Sequence, residues 1–179
     1  MTNTKNMVLT ALFIALSVLL PIGFHAIQMA GFVFLPMHIP VLLAGLACGW
    51  KFGLVTGLIA PLVSASFTGM PSWANVPPMM LELGVYGLAS GLALEYIRTK
   101  RASFDLYIAL VVAMLAGRIV AGIAQFVYFS GGDYSVGAWV AAYFVTGLPG
   151  LVIQFMFVPS VVMALERERV IPLRYPINA

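Results

Sequence analysis

Glu82 and Arg118 stand out because their charges fall inside long apolar runs. Arg118 lies within LYIALVVAMLAGRIVAGIAQFVYF and Glu82 within VPPMMLELGVYGLASGLA. A charge at such a position costs about 2.5–3.5 kcal/mol on insertion scales, and usually pairs with another charge or faces a polar cavity. At ~1.5 Å of helix per residue, Glu82 lies about 10 Å and Arg118 about 16 Å from the same end of their segments. Two chemistries fit that depth. The pair could form a packing salt bridge, or both could line a ligand pocket in which Arg118 offers planar donors to a carboxylate or a polarised ring.

Helical spacing gathers further polar groups onto the same faces. Asn75, Glu82 and Tyr86 follow an i, i+7, i+11 stripe. Gln125 comes seven residues after Arg118, with Ala121 and Gly122 between them leaving space. Further on, Tyr143, Gly147, Gly150 and Gln154 share a face, and Pro149 invites a kink whose freed backbone groups need partners. Three consecutive segments therefore each carry a polar or aromatic stripe bordered by glycine, a cost that packing alone gives little reason to incur. His38 and Trp73, near the same end, complete the candidate ligand-binding set.

The elements that must position these residues follow from composition. Of 179 residues, 62% are hydrophobic and 8% charged, against roughly 45–50% and 25% in soluble domains. The expected fold is an all-α integral membrane protein, one domain over 1–179. Six apolar segments run from about Met7 to Phe24, Pro36 to Trp50, Phe52 to Phe67, Val76 to Ile97, Leu106 to Phe129 and Gly137 to Leu165. The runs lack period-two alternation and exceed the length of a barrel strand. Lys5, Lys51, Arg98, Lys100, Arg101, Arg167, Arg169 and Arg174 all fall on one face if the chain crosses six times. The positive-inside rule makes that face, and both termini, cytoplasmic. The opposite loops, around Ala26–Leu35, Thr68–Asn75 and Ser130–Val136, carry no Lys or Arg. They read either as a membrane-interface belt of aromatics or as lids over a cavity. Lys5 and the apolar run after it also resemble a signal peptide cut after Ala26, but the run is long enough to span and a retained first helix is expected.

Small residues point to helix contacts. Gly45, Gly49, Gly53 and Gly57 recur every four residues, and Gly84, Gly87 and Gly91 form a second small face; both suit close helix packing. The turn at Trp50–Lys51 is expected to break the first row into two half-interfaces. Ala11 and Ala15, one turn apart, make a flat patch where another helix can dock. Other chemistries find no support. His25 and His38 are thirteen residues apart with no Cys or carboxylate cluster to complete a metal site. No GxxxxGK[ST] motif is present, so the chain cannot hydrolyse ATP itself. The +3 charge comes from residues flanking the spans, which fits a lipid bilayer and no nucleic acid. Cys48 is alone, so no internal disulfide can form. No cofactor is expected. A membrane enzyme using Glu82 and Arg118 as acid–base machinery, and a scaffold in which they only fix packing, are the competing classes.

The pattern resembles the substrate-binding S-component of an energy-coupling-factor (ECF) vitamin transporter over nearly the whole chain. Ala11-x-x-x-Ala15 matches the family's AxxxA patch, FLPMHIPVLLAGLACGWKFG its second helix and tight turn, and PLVSASFTGMP its outward loop after the third helix. The resemblance implies a pocket opening outward between the last three helices, under the loops after the first, third and fifth. It implies capture of a small water-soluble vitamin, followed by toppling of the subunit within the membrane. Its partners would be a membrane coupling subunit, docked at Ala11 and Ala15, and two cytoplasmic ATPases. The setting would be multi-pass, in a bacterial plasma membrane. Metal-transporting members present Met-His-Ile near a free N-terminus, whereas Met37-His38-Ile39 is internal here, which disfavours a metal cargo. The chain reads most like pantothenate- or pyridoxine/hydroxymethylpyrimidine-type members. Folate fits less well, because no extensive aromatic slot is visible.

Overall fold

The computed structural model describes residues 3–24, 33–128 and 135–175. Among these residues every regular element is helical. α1 (Asn3–Phe24) is apolar all round: Phe13 and Ser17 are buried, whereas Met7, Val8, Leu12 and Leu19 face outward. A helix apolar on every side belongs in lipid or in the middle of a bundle. α2 (His38–Cys48) is only 11 residues long and buried along its whole length. α3 (Trp50–Thr68) follows after a single residue, Gly49, at φ 94° and ψ 167°. That backbone conformation is essentially reserved for glycine, so the reversal is set at Gly49 and not at Trp50–Lys51.

α4 (Val76–Tyr96) starts with prolines in its first turn, where a missing amide costs nothing, and runs against α2, α3 and α5. α5 (Ala102–Tyr128) is the longest helix, at 27 residues. The last pass is interrupted: α6 (Val136–Val140) runs into a π-helical turn at Ala141–Thr146, and α7 (Leu148–Arg167) begins after Gly147. The kink expected at Pro149 is thus realised just upstream, with Pro149 serving as a start residue of α7. Among the described residues, four helices, α1, α3, α5 and α7, are long and apolar enough to cross a membrane. α4 has the length, at 21 residues.

The two glycine rows meet each other. A Cβ at Gly45 or Gly53 would run into the backbone of Gly87, one at Gly57 into Leu83, and one at Gly91 into Trp50. α4 therefore lies backbone to backbone against the α2–α3 hairpin, the close approach that small residues permit. Gly49 is the turn and no part of that interface. Connectivity and contact bring the basic turns to one end of the bundle. Leu46 and Ala47 of α2, Leu94 and Arg98 beyond α4, Glu166 of α7 and residues 171–175 line one cleft of about 440 Å³. The first and last described residues share that end, because Thr10 approaches Cys48 and Tyr175 reaches Asp105.

Candidate functional site

The site forms where α2, α4, α5 and the broken last pass converge. His38 opens α2 after a turn in which Leu35 takes φ 50° and accepts the His38 amide at 3.1 Å. Its side chain is thereby driven inward, to 2% exposure. Glu82 and Tyr86 stand one turn apart on α4 and are both buried. Tyr86 finds room because Gly117 of α5 has no side chain: a Cβ there would collide with its ring. The His38 ring meets Tyr86 edge-on, with centroids 5.0 Å apart.

Glu82 is held on both oxygens. His38 Nε2 lies 3.3 Å from Oε1, and the Tyr143 hydroxyl donates to Oε2 at 3.4 Å. The salt bridge to Arg118 that the shared depth allowed is not formed; among the described residues Glu82 instead meets the His38 imidazole, and Asp105 pairs with Arg174. Depth along a helix fixes height but not direction, and His38 approaches Glu82 from another helix.

Arg118 instead lies under the π-turn aromatics. Its guanidinium carbon stands 5.7 Å from the Tyr143 ring centre and 5.2 Å from that of Phe144. Trp139 meets Phe144 edge-on at 5.5 Å and lies over Gly122, where a Cβ would come within 2.8 Å of the indole. Gly147 leaves space for the guanidinium, since a Cβ there would stand 3.5 Å from Nη2. Gly147, Gly150 and Gln154 form the buried face of α7. A π-turn at this point re-aims Tyr143 and Phe144 inward, which is where such turns commonly serve function.

The polar atoms around this site are incompletely satisfied. Arg118 is 1% exposed, and its Nε and Nη1 have no hydrogen-bond partner among the described residues. The same holds for Gln154 Oε1 and Nε2, His38 Nδ1 and Trp139 Nε1. The Tyr86 hydroxyl lies beside the Arg118 guanidinium and within electrostatic reach of Glu82 and Tyr143, but its geometry falls short of a well-formed hydrogen bond. Protein interiors leave few such atoms, and each costs about 1–3 kcal/mol. Five residues with such atoms are gathered from four helical passes.

Of the residues singled out by sequence, the structure brings His38, Glu82, Tyr86, Arg118 and Tyr143 together, with Gln154 buried further along the α7 face. Trp73 and Asn75 are not brought in. Trp73 is 60% exposed, and Asn75 is exposed and donates to Ser72 Oγ at 3.0 Å in a 3₁₀ turn. Asn75 shares the phase of Glu82, but α4 begins only at Val76, so the stripe does not extend to it. Gln125 is half-buried on α5. Loop residues 25–32 and 129–134, including His25, lie outside the described residues. Trp139, Phe144 and Gly117 were not anticipated; Gly117 beside Arg118 was the signal that could have pointed to a large facing ring. Among the described residues no cluster of His, Cys, Asp and Glu could hold a metal.

Helices of this length and composition mark a multi-pass membrane protein, here with polar groups in its interior. The model of the ECF transporter substrate-specific component family matches residues 5–162, and the chain belongs to that family. It is accordingly a transporter component and not an enzyme. Curated proteins and solved structures yield no match.

Proposed function

We propose that this chain is the high-affinity binding subunit of an importer for a small water-soluble vitamin or vitamin precursor. It crosses a bacterial plasma membrane six times, with the basic end in the cytoplasm, and captures its substrate from outside. The observation that carries this reading is the buried group of unsatisfied polar atoms around Arg118, drawn from α2, α4, α5 and the last pass. A scaffold in which these residues only fix packing would have to bear their desolvation cost without return.

Delivery requires partners. Ala11 and Ala15 are both exposed on α1, while Thr10, Phe13 and Ser17 of the same helix are buried. That flat outward patch suits docking of a membrane coupling subunit, through which two cytoplasmic ATPases drive toppling of the loaded subunit and release inside. Trp73, Asn75 and Gln125 remain candidates for contact with the substrate at the mouth of the site.

Thermal melting of the purified protein across a panel of B vitamins and precursors tests the reading. Strong stabilisation by one compound, without turnover, is expected. Absence of a response to every candidate would contradict it. Copurification with a coupling subunit and ATPases tests the partnership separately.

A further inference from the structure

Resting on the reading that this site binds substrate, the geometry points to the ligand's chemistry. We infer that it is a small monocarboxylic acid that also carries an amide-like group, the acid taken by Arg118 and the amide edge read by Gln154.

Charge is the first constraint. Arg118, Glu82 and His38 are the titratable groups of formal charge at the site among the described residues, and Glu82 already has a partner on each oxygen. A cationic ligand would have to break those contacts to reach the carboxylate. Arg118 Nε and Nη1 make no well-formed hydrogen bond, although the Tyr86 hydroxyl lies close to the guanidinium. A guanidinium at 1% exposure is completed most favourably by an anion that accepts charge-assisted hydrogen bonds. The aromatic rings of Tyr143 and Phe144 cover one side of the guanidinium and keep water from competing.

The anion is a monocarboxylate and not a phosphate. A phosphate brings nearly two charges and three strong acceptor oxygens, and is normally met by several basic groups or a row of backbone amides. Here Arg118 is the one permanently charged cation at the site among the described residues, and His38 Nε2 is taken up by Glu82.

Gln154 supplies the second constraint. It is fully buried, and neither its carbonyl oxygen nor its amide nitrogen has a partner. The group that satisfies both at once presents a donor beside an acceptor, as an amide, lactam or ureide does. Gln154 lies seven residues beyond Gly147, where an added Cβ would stand 3.5 Å from Arg118 Nη2, a separation of about 10 Å along the helix before the side chains reach inward. Acid and amide are therefore several bonds apart in the ligand. A ring with only a carboxylate attached would leave Gln154 unpaired.

Matched probes test this on the wild-type protein. Pantothenate and its neutral alcohol analogue panthenol share an amide and differ at the acid; biotin and biotinamide share a ureide and differ in the same way. Thiamine and pyridoxine serve as cationic and neutral controls, and pyridoxal phosphate as the phosphorylated one. The acid of one pair is expected to raise the melting temperature, and its neutral counterpart to bind at least about tenfold more weakly. In Arg118→Gln that preference for the acid should fall to within about threefold. In Gln154→Leu both members of the pair should weaken together. Equal binding of acid and neutral partner, or preference for thiamine, pyridoxine or the phosphate, would overturn this inference while leaving substrate binding intact. Stabilisation by none of the probes, nor by any compound of the wider vitamin panel, would overturn the binding reading and this inference with it.

Discussion

Two buried arginine-bearing clusters lie at different levels of this molecule, and only one of them is complete. Near the basic end, Asp105 is fully buried in the first turn of α5 and accepts hydrogen bonds on both oxygens. The Thr99 amide and hydroxyl donate to Oδ1 at 2.8 and 2.6 Å; Arg174 Nε and the Tyr175 hydroxyl donate to Oδ2, each at 2.6 Å. Arg174 also donates through Nη2 to the Ile97 carbonyl. The residues after α7 are thereby strapped beneath the α4–α5 turn. Around Arg118, by contrast, donors and acceptors on five residues are left over. The same cost of burying charge is met in one place by the chain itself and in the other, on the proposed function, by the substrate.

That contrast can be broken or sharpened by substitution. The largest loss of stability is expected from Asp105→Ala, which strands Arg174 and Tyr175. Removing one partner of a buried ion pair costs about 3–5 kcal/mol. Denaturant or thermal unfolding should register it, with substrate affinity normal in the protein that remains folded. Arg118→Met should do the reverse. It relieves an unfilled guanidinium, so the unliganded protein should be no less stable, while substrate affinity falls by about 1.5–3 kcal/mol, or ten- to more than a hundredfold, by titration calorimetry. Gln154→Leu is smaller again: about 1 kcal/mol of affinity is expected to go, with unliganded stability unchanged or raised. Leucines at both Ala11 and Ala15 should change neither binding nor stability by more than about 0.5 kcal/mol, because both sites are exposed. Transport measured in cells should nevertheless be lost. A fall in binding instead would place the patch inside the fold and sink its docking role.

Much of this contrast could be read from the chain, and the rest was hidden for physical reasons. Apolar runs located the helices within a few residues, because burial in lipid leaves little freedom in where a span begins. The glycine spacing foretold close packing, and the facing rows at Gly53 and Gly87 supply it. Arg118 could be identified as anomalous because no water-facing position was open to it. Tyr86 and Tyr143 were among the candidates, but which side chain Arg118 meets could not be identified. Equal depth suggested Glu82, but azimuth decides contact, and azimuth depends on how α4 and α5 dock. Tyr143 was placed on the right face by ordinary helical spacing, yet it lies in a π-turn whose extra residue that spacing does not describe. Asp105 looked like an ordinary acidic residue in a helix's first turn. Its role depends on a tail that folds back about 70 residues later in the chain, as its contact with Tyr175 records. Asn75 shows the opposite failure, where a periodic stripe was continued one residue past the true start of the helix.

The central claim is that Arg118 is left unfinished by the fold so that a substrate can complete it. The most direct test is the melting temperature of wild-type and Arg118→Met protein, each with and without the vitamin that stabilises the wild type. The account predicts that the unliganded variant melts at or above the wild type and that only the wild type gains substantially from the ligand. A variant that melts well below the wild type, yet gains as much from the ligand, would show that Arg118 serves packing and would contradict the claim.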